Sequence, residues 1–125
     1  MAKNLSLSCV DTISLPVPVG TASEDPVLAG TTPSATAGIR GVALTDIGGG
    51  LPANPAGYAT VSTKGSYRVL VDTTAVALAI GDPVYYNLAG NILTSDNTDV
   101  FWGYALEALA ITSNEVIDVV ISPNV

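Results

Sequence analysis

The sequence predicts an all-β protein, a compact antiparallel barrel or sandwich with an extended N-terminal arm. Short segments alternate apolar and polar residues at period two, the signature of half-buried strands. Turn-forming residues separate them at about ten-residue spacing, and no stretch keeps a helical period. Hydrophobic residues make up 48% of the 125 and charged residues 12%, a balance that supports a core and excludes the charge-rich composition of disordered chains. At this length one domain is expected, burying roughly two thirds of its unfolded surface.

Residues 4–10 alternate, with Leu5, Leu7 and Cys9 on one side and Ser6 and Ser8 on the other. Residues 13–19 continue extended, but Pro16 and Pro18 each lack a donor N–H, which confines them to a sheet edge or to an arm lying on a surface. Both roles stay open. The expected organisation is an arm or edge strand over residues 1–19 and a single β-domain over 20–125.

Within that domain, residues 27–29 predict a short strand and residues 31–38 (TTPSATAG) a small-sided loop. Residues 39–45 follow as a strand with Val42 and Leu44 on the face of Arg40, then the Gly- and Pro-rich break at 47–57. Strands are expected at 58–63 and 66–72, with Lys64-Gly65 between them as a tight hairpin turn. Residues 75–80 are ambiguous: alanine favours helix, while Val76, Leu78 and Ile80 alternate as in a strand. The last strand spans 115–122, with Ile117, Val119 and Ile121 inward and Asp118 outward.

Residues 81–107 organise the rest. GDP opens a short strand at 84–87, LAGN turns, 92–94 returns, and a polar loop leads into the strand at 100–106; proline suits a strand's first residue, and Gly-Asn a turn. This stretch is also half of an internal echo. Asp25-Pro26-Val27-Leu28-Ala29-Gly30 resembles Asp82-Pro83-Val84 with its closing Leu88-Ala89-Gly90, and Gly41-Val42-Ala43-Leu44 resembles Gly103-Tyr104-Ala105-Leu106. The repeat is loose, not a strict solenoid period, and suggests two similar β-modules closing on one core.

Several functions are disfavoured. The formal charge is −7, and the four basic residues, Lys3, Arg40, Lys64 and Arg68, are scattered. Neutralising phosphates requires clustered bases, so nucleic acid is not an expected partner. The longest apolar run, 75–80, is far too short for a membrane-spanning helix, and no secretory signal is expected at the N-terminus. With no His, neither a Ser-His-Asp nor a Cys-His site can be built. Cys9 has no second cysteine to pair with, and reads as a small buried strand residue. Gly48-Gly49-Gly50 runs into Leu-Pro and not into a helix, so it reads as a loop and not a phosphate cradle. Asp96-Asn97-Thr98-Asp99 lacks the spacing and the bidentate Glu of an EF-hand. The remaining acids read as solvated turn carboxylates. No metal or cofactor and no catalysis are expected.

The aromatic strand at 100–106 puts Val100, Trp102, Tyr104 and Leu106 on one face and Phe101, Gly103, Ala105 and Glu107 on the other. The bulky row reads as barrel interior, with Gly103 admitting a close neighbour. The alternative is a stacking platform or an interface, where aromatics are enriched.

MAKN at the start, GVALTDI at 41–47, GDPVYYN at 81–87, GYALE at 103–107 and the closing VIDVVIS together resemble the small capsid decoration, or cement, proteins of tailed bacteriophages. The resemblance covers most of the chain in order, matching least at 31–37 and 47–57. It implies a β-rich, non-catalytic structural protein made in the cytoplasm of the host bacterium and seated on the outer capsid surface of the virion. It implies a homotrimer contacting the major capsid protein. Lys3, Asn4, Leu5, Leu7, Leu15, Pro16, Val17 and Pro18 are then candidates for a capsid-binding arm, and Tyr85, Tyr86 and Trp102 for interface aromatics. The rival reading is a carbohydrate- or ligand-binding β-barrel, which requires Trp102, Tyr85 or Tyr86 exposed beside a concave polar site. A hydrolase using a carboxylate pair ranks behind both.

Overall fold

The structure, a computed structural model, describes residues 12–34 and 36–123. The strand expected at 4–10, Cys9 included, lies outside them. The described residues contain no helix and nine strands: β1 (Thr12–Pro16), β2 (Pro26–Ser34), β3 (Ala37–Ala43), β4 (Tyr58–Ser62), β5 (Ser66–Asp72), β6 (Pro83–Asn87), β7 (Ile92–Thr94), β8 (Val100–Ala105) and β9 (Asn114–Ile121). The first four form an antiparallel sheet in the order β1-β4-β3-β2, and the last five close into a barrel, β5-β7-β6-β8-β9. Only the short β5–β7 pairing is parallel.

β1 sits at a sheet edge, a position Pro16 tolerates, and pairs with β4 from Thr12↔Ser62 to Pro16↔Tyr58. The loop expected at 31–38 is instead the end of a long β2–β3 hairpin, because ladder hydrogen bonds need backbone and not large side chains. A register shift between Ala29 and Ser34 absorbs the irregularity. β3 stops at Ala43; the Leu44 N–H still donates to the Thr60 carbonyl at 2.7 Å, but its side chain is exposed and does not share the burial of Val42. Lys64-Gly65 is a second correction: β4 and β5 belong to different sheets, so this turn carries the chain between them, and the Gly65 carbonyl accepts from the Ile121 N–H at 2.9 Å. Residues 75–80 form neither helix nor strand, and Leu78 makes an isolated bridge to Leu109.

The two stretches of the echo share a pairing register. Val27 pairs with Gly41 and Pro26 with Val42; Val84 pairs with Gly103 and Pro83 with Tyr104. The Asp25 and Asp82 carboxylates accept the N–H of Ala22 and Ala79, each at 2.9 Å. Their backbone carbonyls accept from Ala43 and Ala105, again at 2.9 Å. The residue before each Asp has a left-handed φ, +76° at Glu24 and +92° at Gly81. The correspondence sets Val27-Leu28-Ala29 against Val84-Tyr85-Tyr86, so Leu88-Ala89-Gly90 is turn sequence outside the repeat. The order β1-β4-β3-β2 thus matches β5-β9-β8-β6, and β7 is an added strand that closes the second copy.

Closure with a fifth strand encloses a wider interior. The side chains agree: Ala29 and Ala59 line the first module's small cluster with Val27, Ala43 and Val61, whereas Tyr86 and Ile117 take the corresponding places in the barrel. Val69, Val71, Val84, Leu93 and Val119 complete the barrel core. The two modules join through Leu28 and Val42, which belong to the barrel's cluster, and through Trp102, whose Nε1–H donates to the Val27 carbonyl at 3.0 Å.

The β6–β8 register explains Trp102. Val84 opposes Gly103 but Tyr85 opposes Phe101, so β8 carries one extra residue there. Such a bulge breaks the in–out alternation. The row expected to share one face is split: Trp102 is 0% exposed, while Tyr104 is 43% exposed and Leu106 also lies open to solvent.

A Cβ at Gly103 would lie 2.1 Å from the Val120 carbonyl oxygen, and one at Gly41 2.5 Å from that of Ser62. Backbone oxygens in a ladder cannot step aside. Gly103→Ala should therefore lower unfolding free energy by about 1–3 kcal/mol or more, an overpacking cost. Gly90→Ala, where the same atom meets only ordinary contacts from 3.4 Å outward, should change it by less than about 0.5 kcal/mol. Urea denaturation of the two variants measures both.

Burial pushes the Tyr86 phenol up to about 12 from its ordinary 10.0. The fold therefore favours the neutral phenol, and this contribution is complete below pH 10.0 and is lost as pH rises from there through about 12. Thermal midpoints should fall over that alkaline window, and Tyr86→Phe should flatten the fall.

Candidate interaction surface

The predicted arm residues fall into two groups. Lys3, Asn4, Leu5 and Leu7 lie outside the described residues. Leu15 and Pro16 belong to β1, paired with Ala59 and Tyr58. Leu15 and Val17 pack against the Val27, Ala29, Ala43, Ala59 and Val61 cluster, and the Val17 N–H donates to the Gly57 carbonyl at 3.0 Å. The Pro18 carbonyl accepts from both the N–H and the hydroxyl of Thr21, at 3.2 and 2.7 Å. All four are therefore held on the body of the domain.

The three candidate aromatics also divide. Tyr86 points into the barrel and bonds Asn91 Oδ1 through its hydroxyl at 3.1 Å; Trp102 is interior. Only Tyr85 faces outward. The surface row on these strands is Tyr85, Phe101 and Tyr104, in place of Tyr86 and Trp102. Tyr85 and Phe101 meet edge to face with ring centroids 6.1 Å apart, and Phe101 and Tyr104 at 5.2 Å. Period-two reading missed Phe101 and Tyr104 as neighbours because the bulge lies between them; nothing in the local sequence marks it except the GDPV/GYAL repeat.

Arg40 lies against this row, its guanidinium 5.8 Å from the Phe101 ring centroid. Its Nε donates to the Ser122 carbonyl at 3.3 Å and its Nη2 to the Pro123 carbonyl. One side chain from β3 thus ties the first module to the end of β9 and stacks on the aromatic row. Beside Tyr85, a cleft of about 270 Å³ opens between Val76, Leu78, Pro83 and Asp96.

Farther round the barrel, Arg68 Nη1 lies 2.9 Å from Glu107 and 3.4 Å from Asp118. The Asp118 N–H, donating at 2.8 Å, and after it the Arg68 guanidinium hold the Glu107 carboxyl below its ordinary value. Arg68 is thereby committed to carboxylates. The hydroxyl and N–H of Thr74 lower Asp72, and the N–H and hydroxyl of Thr98 lower Asp96. These acids are satisfied by their own turns, and among the described residues no group of His, Cys, Asp or Glu is placed to hold a metal ion. Of the three aromatics named for a glycan-binding barrel, Trp102 and Tyr86 are interior and Tyr85 lies beside the cleft.

Comparison with known proteins agrees with an interaction protein. No curated protein and no solved structure matches the chain. Residues 8–121 match the sequence model of a family described as phage cement protein. That span takes in both modules, and such a family is structural, its members associated with the phage capsid. An all-β double module, acidic and faced with an aromatic row, belongs to the phage cement protein family.

Proposed function

We propose that this chain decorates the outer surface of a phage head as a homotrimer, gripping the major capsid protein and holding the shell against the outward pressure of packed DNA. The observation that carries this reading is the family match across both modules. Mechanically, a trimer spanning neighbouring shell subunits resists their separation. Each protomer's contact is modest, but once one is made the other two become intramolecular, which raises avidity by about 10²–10⁴. The net charge of −7 suits crowded copies that must stay soluble and repel one another away from their contacts.

The proposed grip is the N-terminal segment. Residues 1–11, with Lys3, Asn4, Leu5 and Leu7, immediately precede β1 in the sequence, and β1 is an edge strand. Leu15, Pro16, Val17 and Pro18 then act as the anchor that transmits load into the first module. The segment orders on the shell as it docks, a coupled process that lets a short stretch cover a large surface.

Deletion of residues 2–11 stops short of β1 and should leave the circular-dichroism spectrum and thermal midpoint nearly unchanged. It should abolish decoration of undecorated heads in a co-sedimentation assay. Full occupancy by the truncated protein would remove the grip from this segment. Decorated heads should also survive heating or chelation that bursts bare ones, and equal survival would count against reinforcement.

A further inference from the structure

We propose that the outer face of β6 and β8, carrying Tyr85, Phe101 and Tyr104, is the surface by which one copy of this chain docks on a second copy. This deepens the trimer reading above and rests on it. The repeat supplies the reason. Leu28 and Val42 in the first module occupy the places of Tyr85 and Tyr104 in the second, since Val27↔Gly41 corresponds to Val84↔Gly103 and Pro26↔Val42 to Pro83↔Tyr104. In the first module this outer face is covered, Leu28 being 2% and Val42 1% exposed, and what covers it is a β-module of the same chain. In the second module the corresponding face carries Tyr85, Phe101 and Tyr104, the last 43% exposed, and among the described residues no β-module covers it as the barrel covers Leu28 and Val42.

Chemistry at the face agrees with a second copy. The row itself is uncharged, and Arg40, its neighbouring cation, is already bonded to carbonyls of the last residues. The three rings carry no carboxylate of their own, whereas most of the remaining surface of a −7 chain repels another copy. Aromatic side chains of this kind dominate binding where they reach the centre of an interface. The cleft beside Tyr85 offers the partner a place for an aliphatic side chain. A second copy docking as the first module docks on the barrel makes a heterologous contact, and such contacts close into rings when the rotation permits.

The test uses the full chain. Light scattering and sedimentation should find the wild type self-associated. Tyr104→Glu should weaken self-association about 30-fold or more, the loss typical of an aromatic hot spot. Leu51→Glu, at a fully solvent-facing apolar residue in the 47–57 loop, should leave it unchanged. A photo-crosslinking phenylalanine analogue at Tyr104, which does not depend on the charged variant folding, should trap a peptide of a second copy. A monomeric wild type, a Tyr104→Glu protein that stays associated, or a crosslink found only on another protein would overturn the inference. Head binding separates this from the function: a Tyr104→Glu protein that stays associated yet fails to decorate heads assigns the face to the shell. Association through this face without any head binding supports the face and ends the decoration reading.

Discussion

The fold depends on the extra residue in β8. By inserting Trp102 between the Val84–Gly103 and Tyr85–Phe101 pairs, the bulge turns the largest side chain of the chain inward and aims its N–H at the Val27 carbonyl. A buried indole N–H needs an acceptor, and a backbone carbonyl has two lone pairs with which to accept. Each satisfies the other, and together they fix the first module on the second. The same bulge puts Tyr104 outside, beside Phe101, so one backbone irregularity both seals the core and builds the surface row.

Duplication accounts for much of the remaining economy. Both modules use the same Asp-Pro-Val strand start, the same Asp carboxylate closing its own turn, and the same glycine where two backbones approach too closely for a Cβ. They differ where their neighbours differ. The second gained β7 and the larger interior residues Tyr86 and Ile117; the first stayed a four-stranded sheet with alanines at those places. The outer face of the first is buried, Leu28 and Val42 being nearly inaccessible, while Tyr104 at the corresponding place in the second is open.

For a structural protein of the phage cement family, this is a consistent design. Its acids are held by turn N–H groups and hydroxyls or by Arg68, and no buried side-chain polar atom among the described residues lacks a partner. Pairing across two β-modules resists shear through many backbone bonds at once. What remains for binding is the periphery: the stretch before β1, the aromatic row, and the cleft next to it.

The sequence by itself determined the fold class, because period-two alternation and turn residues are local properties of strands and their ends. It also determined β5, β6, β7 and β9 closely, and the inward set Ile117, Val119 and Ile121; Pro16, with no N–H to give, left β1 open between a sheet edge and a surface arm, and the structure decided for the edge. The Asp-Pro-Val and Gly-x-Ala-Leu repeat was legible too, although LAG was matched to the wrong residues because identity was read without register. Tertiary structure alone decided which strands share a sheet: Lys64-Gly65 looks like a hairpin and is a crossover, because pairing partners are chosen by distant cores. It alone decided which aromatics face out, since a bulge is set by the demands of two strands and a neighbouring module, and one inserted residue reverses every side chain beyond it.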